Sequence, residues 1–272
     1  MPSLPPDYDI VSDGSATHVV RSDWKPLLLD DLRNDFAAVS GDRRRIFTGR
    51  VKHFSYQPSG GQERVLVRKV VRGGLVAKLL GDLHWGMARP FRELKAVIRA
   101  RNAGLNVPEI VAVRATRAWG PFYRFTVVVK EISAADDLLS LAGRLAPPQR
   151  HRAIGEVAEA VRKMHEAGLY HGDLNIKNIL VADEAGRCVV YLIDLDRAML
   201  RESREAGLDF RNLSRLNRSV EKWLGGRVTR ADKLRFLIRY LGGTDRVRDV
   251  SRRCGAGLWL HRLWWAITGA GA

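Results

Sequence analysis

Three oxygen-bearing side chains in the middle of the chain have a spacing that can do chemistry. The segment His171-Gly172-Asp173-Leu174-Asn175-Ile176-Lys177-Asn178-Ile179-Leu180 sets an aspartate five residues before an asparagine. A second segment, Tyr191-Leu192-Ile193-Asp194-Leu195-Asp196, brings another acid to a strand end. Phosphoryl transfer from a nucleotide asks for little covalent help from a protein. It asks for a carboxylate that orients the acceptor hydroxyl, and for oxygen ligands that hold Mg²⁺ against the phosphates. Asp173 suits the first role. Asn178 and Asp194 suit the second, because the hard cation prefers carboxylate and amide oxygens. Asp-x-x-x-x-Asn alone is ordinary turn chemistry, and both later residues could simply cap strands. Its surroundings give it weight: a long helix before it, an apolar strand Ile179-Leu180-Val181 after it, and Leu192-Ile193-Asp194 one hairpin further on.

The elements that would position these residues are legible in outline. Residues 1–40 are mixed, with a short helix expected around Leu27–Val39. Strands are expected at Ile46–Ser55 and Arg64–Val71, about a Pro58-Ser59-Gly60-Gly61 turn. A long helix is expected from Gly74 through Pro90 to about Ala103, stopped by Gly104 and by Val107-Pro108. Strands follow at Glu109–Arg117 and Phe122–Ile132. Asp136–Leu145 reads as helical. Pro147-Pro148 opens an amphipathic helix whose apolar positions Ile154, Val157, Val161 and Met164 recur at helical steps until Gly168. Ile179–Ala182 and Cys188–Ile193 form a hairpin about Asp183-Glu184-Ala185-Gly186, and the chain is helical from Asp209. A strand-rich half with one embedded helix, followed by a helical half with one small hairpin, implies an α+β protein of two lobes. The expected divisions are an N-terminal extension at 1–40, an N-lobe at 41–132, a C-lobe at 133–254 and a C-terminal amphipathic, Trp-rich helix at 255–272.

The 272 residues are ordinary in hydrophobic (46%) and charged (28%) content, enough for a substantial core. The balance of charge is not ordinary: 46 Lys and Arg against 30 Asp and Glu give a formal +16. Such a field draws polyanions, whether nucleic acid, anionic lipid headgroups or phosphorylated glycolipids. Two cysteines, Cys188 and Cys254, are too far apart for a metal motif and point to a reducing compartment. The N-terminus does not read as a secretory signal, and no uncharged run approaches the roughly 20 residues that span a bilayer. A cytoplasmic location is expected.

The catalytic segment and Leu192-Ile193-Asp194-Leu195-Asp196-Arg197 resemble the bacterial lipopolysaccharide kinases, which phosphorylate Kdo or heptose of the inner core on a protein-kinase-like fold. Three further segments are similar to that family: Val67-Arg68-Lys69-Val70-Val71-Arg72-Gly73-Gly74-Leu75; Phe91-Arg92-Glu93-Leu94 with Gly104-Leu105-Asn106-Val107-Pro108; and Asn212–Ser219 with Thr229–Leu237. The likeness covers roughly 45–240. It implies an ATP- and Mg²⁺-dependent carbohydrate kinase with Asp173 as catalytic base and Asn178 and Asp194 as metal ligands. It further implies a strand lysine on the α/β phosphates that pairs with Glu93. Lys69 is expected there, with Arg68 the competitor, because a one-residue slip turns the side chain to the other sheet face. Glu131 joins Lys69 and Glu93 as a nucleotide-contacting residue.

The chain departs from the protein kinases in places. It has no Gly-x-Gly-x-x-Gly; Gly41 and Gly49 flank Arg43-Arg44-Arg45 instead. Gly172 stands where protein kinases usually carry an arginine that receives a phosphorylated activation loop, and little room follows Arg197 for such a loop. Both points favour a small-molecule or glycan acceptor over a protein. Asp196 is a second metal ligand or a helix cap. His171 is expected to hold the loop backbone. After the matched region, 257–267 combines tryptophans with arginines, the composition of an interfacial helix or of a helix docked on the C-lobe. The partners expected are therefore a lipid-anchored glycan acceptor and an anionic membrane surface, met peripherally on the inner face of the inner membrane. No nucleic-acid partner is expected, since the arginines are spread over both lobes.

Overall fold

A computed structural model describes residues 5–39, 44–47, 53–71 and 81–245. The Arg72-Gly73-Gly74 signature, Gly41, Arg43 and Gly49, and the helix expected at 255–272 lie outside the described residues. The chain divides into two units, 1–95 with 108–132, and 96–107 with 133–272.

The first unit is built on an eight-stranded antiparallel sheet. Its strands are β1 (Tyr8–Asp13), β2 (Ala16–Arg21), β3 (Arg45–Phe47), β4 (His53–Tyr56), β5 (Val65–Lys69), β6 (His84–Trp85), β7 (Ile110–Trp119) and β8 (Phe122–Lys130). The order is β1-β2-β7-β8-β5-β4-β3, with β6 also pairing with β8. Helix α1 (Lys25–Arg33) covers one face, its Leu28 and Leu32 wholly buried with Trp24, Val65, Val67, Val111 and Val128. Burying each of these leucines contributes about 2 kcal/mol. Residues within 5–39 thus contribute strands and core side chains to this unit. β1 is easily overlooked in the sequence because an edge strand leaves its polar side chains in water.

Helix α2 (Ala88–Asn102) is shorter than its sequence promises. Gly86 at φ +64 breaks the chain before it, with its N–H donated to the Pro121 carbonyl, and His84–Trp85 pairs as a strand with Tyr123 and Phe122.

The second unit holds α3 (Pro147–Glu166), α4 (Ala206–Leu224) and α5 (Arg230–Leu241). It also holds a three-stranded sheet of β9 (Ala135–Asp137), β11 (Ile179–Glu184) and β12 (Arg187–Leu192), in the order β12-β11-β9, and a ribbon of β10 (Leu169–Tyr170) with β13 (Met199–Leu200). The helix expected at Asp136–Leu145 is a strand followed by one helical turn, Leu138–Leu141. Asp137 makes the switch, its carboxylate accepting from the Ser140 N–H (3.0 Å) and hydroxyl (2.7 Å). The β11–β12 turn places Ala185 and Gly186 at φ 52 and 78, the geometry of a tight hairpin. No helix among the described residues is long and apolar enough to cross a membrane.

Candidate active site

The second unit gathers Asp173, Asn178 and Asp194 through the backbone. After β10 the chain curls about the Asp173 carbonyl, which accepts from the side-chain amides of Asn175 (3.0 Å) and Asn178 (2.9 Å). This explains the five-residue spacing: the asparagine ties off the loop that the aspartate opens. Asn175 also starts the short 3₁₀ turn Ile176–Asn178, accepting the Lys177 N–H at 2.9 Å. With Nδ2 of Asn178 committed to Asp173, its Oδ1 is the atom left for a cation.

Ile193 is the joint between the segments. Its N–H donates to the Asn178 carbonyl (3.0 Å) and its carbonyl accepts from His171 Nε2 (2.9 Å), while His171 Nδ1 accepts the Asp173 N–H (3.3 Å). Burial holds the His171 pKa below its ordinary value, so the ring is neutral, with the proton on Nε2. It serves the loop backbone, as its place in the sequence implies. Asp194, next in the chain and exposed, takes the left-handed conformation, φ 64 and ψ 57. That backbone costs a non-glycine residue about 1 kcal/mol and turns the chain out of the strand. Asp196 falls inside the following 3₁₀ turn, Leu195–Arg197. This turn sets a second constraint, since a Cβ on Gly172 would lie 2.4 Å from the Arg197 carbonyl oxygen. Gly172 is required there for space, whatever else an arginine would have brought.

Asn178 and Asp194 therefore sit at adjoining strand ends and offer an amide oxygen and a carboxylate, the donor chemistry that Mg²⁺ takes. Among the described residues no cluster of three His, Cys, Asp or Glu side chains could hold a metal by itself. A cation here would take the rest of its shell from phosphate oxygens and water.

Helix α4 supplies functional residues that the sequence reading left without roles. Asn212 Oδ1 accepts the His171 N–H (3.2 Å), Arg215 Nη1 donates to Asp173 Oδ1 (2.9 Å), and Ser219 Oγ accepts the Ile176 N–H (3.1 Å). One turn on, the Lys177 ammonium lies 3.7 Å from the centre of the Trp223 ring. Asn212 Oδ1 also meets His165 Nε2 (3.2 Å), whose other nitrogen bonds the Tyr240 hydroxyl (2.8 Å). Burial pushes the His165 pKa down, so it braces the site as a neutral ring.

In the first unit, Arg68 and not Lys69 is the ion-pair partner of the buried Glu93 carboxylate. Strand register is the reason. Val65, Val67 and Lys69 share the face that packs on α1, whereas Arg68 lies opposite His53 and Val127 on the other face. The Glu131 carboxylate is held by the Ser55 hydroxyl and by Arg64 Nε (3.1 Å), and its N–H donates to the Arg64 carbonyl, so its remaining polar group toward a nucleotide is its own carbonyl.

Comparison with known proteins agrees with this geometry. The family model described as Lipopolysaccharide kinase (Kdo/WaaP) family matches residues 43–240. A 3-deoxy-D-manno-octulosonic acid kinase of Photobacterium profundum is 39% identical over 166 residues, covering 59% of this chain and 66% of that protein. The enzyme of the same name from Vibrio cholerae serotype O1 is 33% identical over 167 residues, covering 59% and 67%. That from Haemophilus influenzae is 35% identical over 170 residues, covering 58% and 66%. The matches thus span about two thirds of the length of these relatives. A solved structure of WaaP in complex with acyl carrier protein superposes with a TM-score of 0.63 at 24% identity, covering 90% of this chain and 96% of that one. The fold is the α+β, protein-kinase-like fold expected from the sequence.

Proposed function

The chain belongs to the lipopolysaccharide kinase (Kdo/WaaP) family, and on that premise we propose that it transfers a phosphoryl group from ATP to a sugar hydroxyl of the lipopolysaccharide inner core, on Kdo ahead of heptose. The observation that carries this reading is the loop that closes on Asp173. One segment presents the half-exposed Asp173 carboxylate and the Asn178 amide, and a backbone bond from Ile193 brings the second segment's Asp194 to the adjoining strand end. Asp173 accepts the proton of the attacking hydroxyl and orients its oxygen. Asn178 Oδ1 and Asp194 are the residues that would hold Mg²⁺, and the cation would supply charge neutralisation for the phosphoryl group. Arg68, fixed by Glu93, is the strand cation for the phosphates. Because Gly172 packs against Arg197, no arginine at this position is available to receive an activation-loop phosphate, in keeping with a glycan acceptor.

The same reading makes the acceptor a lipid-anchored glycan, met peripherally at the inner face of the inner membrane; the +16 charge suits both the glycan's phosphates and the leaflet. The test is transfer of radiolabel from γ-labelled ATP to Kdo–lipid A, to heptosylated core and to a generic protein. Label is expected in a core glycolipid and in none of the protein. Label in the protein alone, or in no acceptor, refutes the assignment.

A further inference from the structure

The β7–β8 hairpin ends in Arg117-Ala118-Trp119-Gly120-Pro121-Phe122-Tyr123-Arg124, an aromatic tip bracketed by arginines and free of acids. Cross-strand pairing aligns Trp119 with Phe122, and Phe122 with Trp85 of β6, so three aromatic side chains cross three strands on one face. The ring centroids of Trp119 and Phe122 are 4.4 Å apart, and those of Trp85 and Phe122 are 5.4 Å apart and edge-on. Such a ladder would ordinarily be buried. Here Trp85 is 70% and Trp119 61% exposed.

We propose that this tip is a membrane-contact surface that sets its aromatic rings among the headgroups of anionic phospholipids. Two observations select that occupant. Exposed tryptophans packed about a half-buried phenylalanine have the amphipathic composition that settles at the bilayer interface. The basic groups stand where a negative leaflet would meet them. Arg124 shares the aromatic face two residues up the strand, roughly 7 Å behind Phe122. Arg117 leaves from the opposite face and donates to the Tyr123 hydroxyl at 3.0 Å. Among the described residues the one acid facing this group is Asp82, at 3.0 Å from Arg124. A rigid antiparallel hairpin presents the rings without first ordering a segment, which lowers the entropic cost of docking.

The inference specifies which surface meets the membrane partner of the proposed function, but its test needs no phosphoryl transfer, so the two can fail separately. The full chain is labelled with 5-fluorotryptophan, and the Trp85 and Trp119 resonances are identified from single Trp→Phe variants. It is then mixed with phosphatidylglycerol-containing vesicles that carry a spin-labelled lipid. Both resonances are expected to broaden, and the Trp85→Ser/Trp119→Ser variant is expected to partition onto these vesicles at least about tenfold more weakly. Arg117→Gln/Arg124→Gln should remove much of the preference for phosphatidylglycerol over phosphatidylcholine at low salt. Both tryptophans are exposed, so the variants should fold, as circular dichroism will check. Unaltered resonances on vesicle-bound protein, or unchanged partitioning of the double variant, overturn the proposal. So does a dimer in sedimentation that the tryptophan substitutions abolish while the wild type ignores vesicles, because the patch would then cover a second copy.

Discussion

Arg215 shares the carboxylate that the proposed chemistry uses as its base. The guanidinium donates through Nη1 to one oxygen of Asp173, and both side chains are about two-fifths exposed. A single charge-assisted bond at 2.9 Å steadies one oxygen of the carboxylate without closing a bidentate pair. In the proposed chemistry Arg215 is a positioning residue that aims Asp173. Arg215→Gln should lower kcat about 10- to 100-fold with the KM for ATP little changed, since a misplaced base costs rate before it costs nucleotide binding. Arg215→Lys should recover only part of the loss, because an ammonium on a shorter, flexible stem does not reproduce the direction of the guanidinium N–H. A rise in the KM for ATP at unchanged kcat would assign Arg215 to the nucleotide instead.

Helix α4 gives the catalytic loop its shape. Asn212, Arg215, Ser219 and Trp223 recur at helical steps along one face and meet, in turn, His171, Asp173, Ile176 and Lys177. That ridge, on a helix whose Leu213, Leu216 and Leu224 are buried, was not legible in the sequence beyond the helix itself, because its partners lie in a distant segment of the chain. The loop between Asp173 and Asn178 was legible as a loop, because local spacing dictates its curl. Strand β5 was legible as a strand but not in its facing. Val67-Arg68-Lys69-Val70 leaves open which cation turns toward α2, and the choice is made by which valines pack on α1. Arg68→Ala should therefore remove an ion-pair partner of the buried Glu93 carboxylate, cost more than about 1 kcal/mol of stability and raise the KM for ATP. Lys69→Ala should stay within about 0.5 kcal/mol in a denaturation series. The reverse order of effects would restore Lys69 to the phosphate role.

At the scale of the whole molecule, three buried imidazoles tie stability to pH. Burial depresses the pKa of His18, His165 and His171 below 6.5. Between those depressed values and 6.5 the unfolded chain binds more protons than the folded one, so stability rises with pH across that window and is lost as the pH falls through it. The melting temperature should drop by at least about 3 °C between pH 7.5 and 5.5, and His165→Gln should flatten the slope. A flat profile for the wild type would contradict neutral burial. The sequence also left the first forty residues without a place. Their contribution is tertiary, an edge hairpin and a helix whose Trp24, Leu28 and Leu32 acquire meaning only against Val65, Val67 and Val128 of the same unit. The central claim, a kinase of the inner core, meets its most direct test in the cell envelope. Mass spectrometry of lipopolysaccharide core from a strain deleted for this gene should show one phosphate missing. The wild-type gene should restore it, and the Asp173→Ala gene should not. A core unchanged by the deletion, or phosphate restored by Asp173→Ala, would contradict the account.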